Sequence, residues 1–555
     1  MPALFEKHRP LLEQAIAAAR SRANWSAYPE SQSPKIYGED AKANADNAFE
    51  ALKGKPFDLP GHPGGKHVGG EVSPYGFALG VTYPQAEVDV LVAASKAAGA
   101  KWGAASPEER AGVLLEIIAR INRASFLMAH AVMHTSGQAY SMAFQAGGPH
   151  AQDRALEAVA YAFDEMSRVP GAVRWSKQTG KDQVTTLDKT FRIVPRGVAL
   201  VIGCATFPTW NTYPGMFASL ATGNTVIVKP HPGAILPLAL TLGIAREALA
   251  EAGFDPNVVL LAPDTIDRPL TKELALHPGI GIIDFTGSPV FGAWVRENAK
   301  GKLVYTEEAG LNSIVIASTD NFRAMATNIA FSLTLYSGQM CTAPQNIFVP
   351  AGGIETDQGH KSFDEVADAI KSGIDKLLAD PDRASAFLGA VQSEATAQRV
   401  KEAAKLGRVV RSSDSPVYSA APGARTASPI ILAVDAADEP AYMAERFGPI
   451  SFVIAVRDGG DGIARAAAAA RQHGAISAAL YATDEATIDR AIGAFAEAGV
   501  TLSINLTGGV FVNQNAAFSD FHVTGANPAG NACLTDAAFV SNRFRVVGTK
   551  RQVAA

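Results

Sequence analysis

Cys341 is a candidate nucleophile. It lies in the segment LTLYSGQMCTAPQNIFVP, where small and polar residues precede an apolar run. A cysteine thiolate can attack a carbonyl carbon and form a covalent intermediate. Most cysteines in apolar surroundings are inert packed residues, so a catalytic role for Cys341 requires partner groups from elsewhere in the chain.

Two segments upstream of Cys341 supply groups that could assist such chemistry. Glu307, in VYTEEAGLNSIVI, follows an apolar run that predicts a strand, and a carboxylate there could activate water as a general base. Glu308 is adjacent, so spacing alone leaves the choice between the two glutamates open. Asn211, in FPTWNTYPG, could direct its amide N–H at a developing oxyanion, although an asparagine at such a turn is more often a cap.

A second group of residues could hold a phosphate-bearing ligand. Lys229 ends the predicted strand TVIVK, and ligands of open α/β sheets bind at the carboxyl ends of strands. Gly287 and Ser288, in DFTGSPVFGAW, begin a predicted helix whose N–H groups could hold a pyrophosphate, with Gly292 allowing close approach. This pattern differs from the usual dinucleotide fingerprint G-x-G-x-x-G.

The remaining chemical signals are few. Glu445 and Phe447 flank the turn Gly448-Pro449 in AERFGPISFVIAV, a turn that by itself needs no functional explanation. No metal-ligand spacing stands out among the 11 histidines, and no serine stands in a G-x-S-x-G elbow. We therefore predict neither a metal site nor a serine hydrolase.

The order of elements predicts how these residues are positioned. Residues 1–80 read as an arm that packs on a neighbouring domain, and helical periodicity dominates 86–168. Residues 172–194 predict a projecting β-hairpin. From there, short β-branched runs alternate with helices, first up to about residue 306 and again over 307–512. This alternation predicts an α/β fold with two tandem domains built on parallel sheets.

Composition narrows the class of protein. Of the 555 residues, 47% are hydrophobic, which is ample for a buried core. A chain of this length is too long for one compact domain. The 49 basic and 54 acidic residues are scattered, so we expect no nucleic-acid surface. No stretch reaches the roughly 18 apolar residues of a membrane span, and three distant cysteines argue against a disulfide framework. These features predict a cytoplasmic protein.

Taken in order, the motifs resemble those of the aldehyde dehydrogenase superfamily. They are W-N before an aliphatic helix, G-N-T-V-x-x-K-P, F-T-G-S-x-x-x-G, a glutamate-led motif, G-Q-x-C and E-x-F-G-P. The match runs from about Trp102 to the strand after Phe511. This resemblance implies a Rossmann-like domain that binds a nicotinamide cofactor, formed by 81–171 and 195–306, and a catalytic domain formed by 307–512.

The resemblance also implies a role for each residue. Cys341 would attack the aldehyde, Asn211 and the Cys341 backbone N–H would stabilise the oxyanion, and Glu307 would activate the water that hydrolyses the thioester. The cofactor would contact a further set: Lys229, His231, Gly287, Ser288, Gly292, Glu445 and Phe447. The hairpin 172–194 and the tail 513–555 would pair subunits into a homodimer or a tetramer.

Two departures from the family pattern matter. The usual K-P-S-E motif reads Lys229-Pro230-His231-Pro232 here, which removes the glutamate that would repel a 2′-phosphate. We therefore expect NADP as cofactor, with His231 or Lys229 near its phosphate and NAD as the alternative. The second departure is the sequence EEAGLN at 307–312, in place of E-L-G-G-K-S.

The substrate is the most open question. The whole chain resembles PaaN-type proteins of phenylacetate degradation, which implies a CoA-linked substrate, 3-oxo-5,6-dehydrosuberyl-CoA semialdehyde. The same motifs are compatible with the semialdehyde of benzoyl-CoA breakdown and with a free aromatic aldehyde. They also leave open a CoA-acylating aldehyde dehydrogenase, against which Glu307 argues, and a catalytically silent relative.

Overall fold

The computed structural model describes residues 2–308 and 310–553. Ala309 of the 307–312 motif and the end residues 1, 554 and 555 lie outside the described residues. Within these ranges, the chain forms two large parallel sheets, each covered by helices, and a separate three-stranded sheet. The two large sheets confirm the predicted α/β class.

Helices dominate the first part of the chain. The helix Pro2–Ser21 packs on Pro107–Arg123 and Ala151–Ser167. Ser106 begins Pro107–Arg123 with a capping box that it shares with Glu109, which satisfies two of the free N–H groups at the helix start. The other helices of this part are Pro34–Tyr37, Ala41–Leu52, Val88–Ala104, Ser125–Ser136, Tyr140–Gln145 and the π-helical turn Ala146–His150.

The first large sheet has five parallel strands. Their spatial order is Leu303–Glu308, Ile280–Gly287, Val198–Ile202, Thr225–Lys229 and Val259–Leu261. The strands Val198–Ile202 and Thr225–Lys229 are fully buried, as expected when helices cover both faces. The covering helices in this part are Pro208–Ala221, Leu236–Glu251, Pro256–Val258 (a 3₁₀ turn), Thr271–Leu276 and Pro289–Asn298.

The second large sheet has seven strands, of which only the first pairs antiparallel. Their order is Arg408–Arg411, Ile430–Asp435, Ile450–Val456, Asn346–Pro350, Ser313–Ile316, Ser477–Tyr481 and Thr501–Ile504. The accompanying helices and 3₁₀ turns are Phe322–Thr334, Leu335–Gly338, Phe363–Leu378, Pro381–Leu388, Glu394–Ala403, Ala404–Leu406, Glu439–Tyr442, Gly459–His473 and Glu485–Glu497.

The projecting sheet joins distant parts of the chain. Strands Ala172–Gly180 and Gln183–Pro195 form an exposed hairpin. Phe544–Val553 pairs antiparallel with the other side of Gln183–Pro195, which is therefore the central strand of the sheet. Short strands elsewhere complete the fold: Lys66–Val68 with Tyr83–Gln85, Val72–Ser73 with Phe77–Ala78, and Ser318–Thr319 with Ile354–Thr356 and Gly359–Lys361.

The segment 513–543 differs from the oligomerisation tail that was predicted for 513–555. It returns to the first sheet, where the Ala529 carbonyl accepts from the Glu308 N–H at 2.5 Å, and it includes the short helix Ala537–Ser541. The buried Arg543 fixes its end by donating to Asp284 at 2.5 and 2.8 Å. Sequence periodicity could not show this, because the segment is mostly irregular.

The expected division after residue 306 falls inside the strand Leu303–Glu308. The chain therefore leaves the first sheet after Glu308 and enters the second at Ser313. Among the helices of the described ranges, none is both long and apolar enough to cross a bilayer.

Candidate active site

Cys341 follows a tightly turned segment at the end of the helix Phe322–Thr334. Tyr336, Ser337 and Gly338 have positive φ angles of 53°, 49° and 61°, which non-glycine residues adopt at a cost of about 1–3 kcal/mol. Buried hydrogen bonds hold this turn: the Tyr336 hydroxyl donates to the Ser136 carbonyl at 2.5 Å, and the Ser337 hydroxyl donates to Ala427 at 2.9 Å. The turn presents the thiol at a fixed position.

Three side chains from distant parts of the sequence meet at this position. Ligand atoms of Glu307, Cys341 and His522 all lie within 4.8 Å of one another. The Glu307 Oε1 is 2.7 Å from the His522 Nε2, and both side chains are about 1% exposed. A thiol, a carboxylate and an imidazole in contact can exchange protons.

The surroundings set the ionisation of the carboxylate and the thiol. Burial alone would raise the pKa of Glu307, but the charge and hydrogen bond of His522 and the hydrogen bonds of Asn211 and Thr286 hold it below its ordinary value. Burial, followed by the Glu307 charge, raises the pKa of the Cys341 thiol well above its ordinary value. The resting state is therefore a thiol beside a carboxylate that can accept its proton.

Asn211 lies within the helix Pro208–Ala221 and not at a turn before it. Its Nδ2 donates to the Glu307 Oε2 at 2.8 Å, and Thr286 donates to the same oxygen at 3.4 Å. An amide nitrogen carries two hydrogens, so one N–H remains to meet an oxyanion formed next to the thiol. Asn211 is 9% exposed.

The structure distinguishes the two adjacent glutamates. Glu308 points to the opposite side of its strand, where its buried carboxylate forms an ion pair with Arg296. A Cβ at Gly292 would collide with Glu308, so packing against this glutamate accounts for the glycine. Glu307 is therefore the member of the pair that faces Cys341, because alternate strand residues point to opposite faces.

His522 is the residue of this cluster that the sequence did not reveal. It lies in the irregular segment beyond the last family motif, and no local pattern marks it. A thiolate, an imidazole and a carboxylate are also ligands that zinc prefers. The sequence-based expectation of no metal site stays a prediction, although the fold does assemble three potential ligands here.

The predicted cofactor residues lie at the carboxyl edge of the first sheet. Lys229 ends its strand, and its buried Nζ is 2.6 Å from the Asp264 Oδ1. Burial lowers the pKa of Lys229, and Asp264 opposes that shift. Gly287 ends the strand Ile280–Gly287, and Ser288 caps the helix Pro289–Asn298, its hydroxyl accepting from the Phe291 N–H.

His231, which was also predicted to contact the cofactor, is exposed and lies two residues after Lys229. Its Nδ1 accepts from the Gly233 N–H at 3.1 Å. An Nδ1 that accepts a hydrogen bond carries no proton, so this geometry corresponds to a neutral imidazole.

Glu445 and Phe447 lie in the loop before the strand Ile450–Val456 of the second sheet. Burial raises the pKa of Glu445 to about 7, and the charge of Arg399 opposes the shift. This loop contacts the turn that carries the thiol, since a Cβ at Gly338 would lie 2.7 Å from the Gly448 carbonyl oxygen. The two predicted residues therefore lie on a loop adjoining the Cys341 turn.

A cavity of about 350 Å³ leads to Cys341. Aromatic and aliphatic side chains line it together with polar ones, which include Gln145, His150, Asp153 and His522. Its exposed rim includes Asn24, Ser26 and Glu30 from the N-terminal segment. Among the lining residues of the described chain there is no lysine or arginine. The apolar lining residues are Trp25, Met142, Ala146, Phe207, Trp210, Phe331, Leu335, Met340, Phe511, Ala516 and Ala517.

Comparison with known proteins shows the family. The model of the aldehyde dehydrogenase family matches residues 81–527, so this chain belongs to that family. A curated relative, N-succinylglutamate 5-semialdehyde dehydrogenase of Paraburkholderia xenovorans (strain LB400), is 29% identical over 322 residues. That match covers 57% of this chain and 60% of the relative, so it spans less than two thirds of the relative's length.

Solved structures extend the likeness over the whole fold. An NAD-dependent aldehyde dehydrogenase from Burkholderia multivorans is 55% identical, with a TM-score of 0.98, and the match covers 100% of this chain and 99% of that one. A 1-pyrroline-5-carboxylate dehydrogenase from Thermus with bound NAD is 21% identical, with a TM-score of 0.73, covering 96% and 99%. The chain therefore has the aldehyde dehydrogenase fold, with a Rossmann-like domain and a catalytic domain.

Proposed function

We propose that this protein oxidises an aldehyde to a carboxylic acid through a thioester on Cys341, with a nicotinamide cofactor as hydride acceptor. The meeting of Cys341, Glu307 and Asn211 carries this proposal. The thiol proton passes to Glu307 while the sulfur bonds to the carbonyl carbon. The carbonyl π electrons move to oxygen, where the free N–H of Asn211 stabilises the negative charge.

Collapse of this thiohemiacetal releases a hydride and leaves the thioester. Glu307 releases the thiol proton to solvent and is ionised again. It then takes a proton from water, whose oxygen bonds to the acyl carbon as the carbon–sulfur bond breaks. Glu307 passes this proton to the sulfur, and the acid leaves. A carboxylate in contact with the thiol supports hydrolysis by water over transfer to CoA.

The first sheet supports the cofactor assignment. The carboxyl ends of parallel strands are where such sheets bind dinucleotides, and the buried ion pair of Lys229 with Asp264 lies at this edge, with 2.6 Å between Nζ and Oδ1. We propose that Lys229 and Ser288 hold the dinucleotide and that Glu445 and Phe447 contact its nicotinamide end, where it accepts the hydride.

The contacts of Lys229 favour NAD over the NADP expected from Pro232. Asp264 neutralises the lysine charge, and the hydrogen bond from Gly233 keeps His231 neutral. A 2′-phosphate would therefore meet a carboxylate and no unpaired cation. The similarity to a solved NAD-dependent aldehyde dehydrogenase supports the same choice.

Replacing Asp264 with asparagine is expected to shift the cofactor preference toward NADP. The change frees the Lys229 charge to pair with a 2′-phosphate, and a charge-assisted hydrogen bond is worth about 1.5–3 kcal/mol. The ratio of kcat/KM for NADP to that for NAD should rise by about ten- to a hundredfold. Steady-state kinetics with both cofactors measures this ratio, and Asp267→Asn, an exposed change on the same loop, is the control that should leave it unchanged.

The cavity supports an uncharged aldehyde with an aromatic or aliphatic body. Phe331 and Phe511 stack with their ring centroids 3.9 Å apart, and the lining residues of the described chain include no lysine or arginine that could pair with a substrate carboxylate. The CoA-linked semialdehyde expected from the sequence would bring phosphates to a rim that carries Glu30. We therefore propose a free aldehyde and place the CoA-linked semialdehyde second.

A panel of aldehydes tests this choice. We expect kcat/KM for benzaldehyde, phenylacetaldehyde or hexanal to exceed that for succinic semialdehyde by about a hundredfold or more, because an unpaired carboxylate would lose its hydration in the cavity. Gln145→Arg places a cation in the wall and should narrow the difference, while Gln145→Met should not. Preference for succinic semialdehyde, or for a CoA-linked aldehyde, would contradict the proposal.

We also propose that the projecting sheet pairs subunits. All residues of the outer strand Ala172–Gly180 are exposed, and such an edge offers unpaired backbone groups to another chain. A homodimer or a tetramer would cover it.

A further inference from the structure

The C-terminal segment has a feature that aldehyde oxidation through Cys341 does not itself require. His522 reaches the carboxylate of Glu307 from 215 positions further along the chain. Its ring is buried and makes a T-shaped contact with Trp210, with ring centroids 4.6 Å apart and an interplanar angle of 82°. A buried imidazole in contact with a candidate base suggests a role in setting the behaviour of that base.

The backbone around His522 is built to hold this contact. Val523, the next residue, has a φ of 58°, a conformation that is an outlier for a β-branched residue. The segment is fixed on both sides: the His522 N–H donates to the Thr535 hydroxyl at 3.2 Å, and the Phe518 N–H donates to Glu157 at 3.0 Å. An unfavourable backbone geometry that neighbours enforce often marks a functional residue.

The strand that carries Glu307 pairs with the same segment. Gly530 forms an isolated antiparallel bridge with Glu307, and the Thr306 N–H donates to the Asn531 side chain at 2.8 Å. Both partners of the His522–Glu307 contact therefore belong to one locally paired unit. Their relative position is fixed independently of any ligand.

We propose that His522 is a positioning residue that donates a hydrogen bond from Nε2 to Glu307 and holds that carboxylate ionised and aimed at the acyl group on Cys341. The inference rests on the proposed function, because Glu307 must be ionised to take a proton from water. His522 acts through Glu307, while Asn211 and Thr286 hold the other carboxylate oxygen.

The sign of the pH effect follows from the groups that face Glu307, which are His522, Cys341 and Cys204. The two thiols offer no positive charge. Without His522, only the hydrogen bonds of Asn211 and Thr286 would oppose the effect of burial, so the pKa of Glu307 would rise. Hydrolysis of the thioester would then fail at a higher pH than in the wild type, because the protonated carboxyl cannot accept a proton from water.

The experiment measures this hydrolysis directly and needs neither aldehyde nor cofactor. p-Nitrophenyl acetate transfers its acetyl group to the Cys341 sulfur and releases p-nitrophenolate and the thiol proton. Loss of the acetyl group from the Cys341 peptide is then followed by mass spectrometry between pH 4 and pH 9. An enzyme that oxidises no aldehyde of the panel would overturn the proposed oxidation while leaving this measurement interpretable.

His522→Phe keeps the ring against Trp210 but removes the donor. We expect the acid limb of its deacylation profile to move up by about one to three pH units, with rates converging at high pH. His522→Gln keeps an N–H and should lie closer to the wild type. His360→Phe is the matched control, because it removes another histidine–glutamate pair, with Glu355 at 2.9 Å on an exposed hairpin, and should not move the limb.

Two results would overturn the inference. One is a His522→Phe enzyme whose acid limb coincides with that of the wild type. The other is a His522→Gln enzyme whose limb moves as far as that of His522→Phe, since the N–H donor would then have no effect. If His522→Phe does not fold, as judged by circular dichroism, His522→Leu, which also lacks the N–H donor, takes its place, and the same two results decide.

Discussion

Cys341→Ala is expected to remove aldehyde oxidation, lowering kcat by at least about 10⁴-fold. Alanine has no nucleophile, so neither the thiohemiacetal nor the thioester can form. The fold should remain, because Cys341 packs only at the margin of a small apolar cluster. Formation of the reduced cofactor, followed by absorbance, measures the loss.

The matched control for this change is Cys533→Ala. Cys533 is also a free cysteine, but it is buried beside Thr535 and does not line the cavity. The Cys533→Ala enzyme should retain turnover. The Cys341→Ala enzyme should lose turnover but still bind the cofactor. Turnover by Cys341→Ala would move the nucleophile elsewhere, with Cys204, 3.5 Å from Asn211, as the next residue to test.

Glu307→Gln is expected to trap the acyl group. Glutamine preserves the shape of the side chain and its contacts with Asn211, but it cannot take a proton from water. Loss of a general base slows a step by about 10²–10⁴-fold, so hydrolysis should become rate-limiting. A burst of reduced cofactor and an added acyl mass on the Cys341 peptide are the two measurements.

Glu308→Gln separates the two adjacent glutamates. It weakens the buried pair with Arg296 on the other face of the strand, so we expect a lower Tm and no trapped acyl group. Trapping in Glu308→Gln but not in Glu307→Gln would reverse the assignment. Free CoA tests the CoA-acylating alternative. This alternative predicts that CoA releases the acyl group from the trapped Glu307→Gln enzyme and that the wild type also requires CoA for turnover.

Most of the fold was predictable because its information is local. Short β-branched runs separated by helices indicate parallel sheets, and turn residues mark the hairpin 172–194. The motifs around Asn211, Glu307 and Cys341 lie on such elements, so their order along the chain was informative. In the fold, Glu307 lies next to both Cys341 and Asn211.

The remainder of the site could not be predicted because it depends on tertiary contacts. His522 lies in an irregular segment, and Asp264 follows a strand without any motif. Yet His522 contacts Glu307 and Asp264 pairs with Lys229, so each changes the electrostatic surroundings of a predicted residue. The expectation for NADP rested on Pro232 and on His231 or Lys229 near the phosphate, while the Asp264 carboxylate that pairs with Lys229 comes from a neighbouring loop. Electrostatic balance is a property of the folded chain, and the sequence pattern does not contain it.

The 215 positions between Glu307 and His522 also affect the order of events during synthesis. A ribosome adds about 5–20 residues per second, so Glu307 and Cys341 leave the exit tunnel well before the histidine does. During that interval the carboxylate lacks its partner and the cavity lacks one wall. We expect the nascent chain to acquire full reactivity only after residues 513–543 have docked, which would shield an unfinished enzyme from reacting with cellular aldehydes.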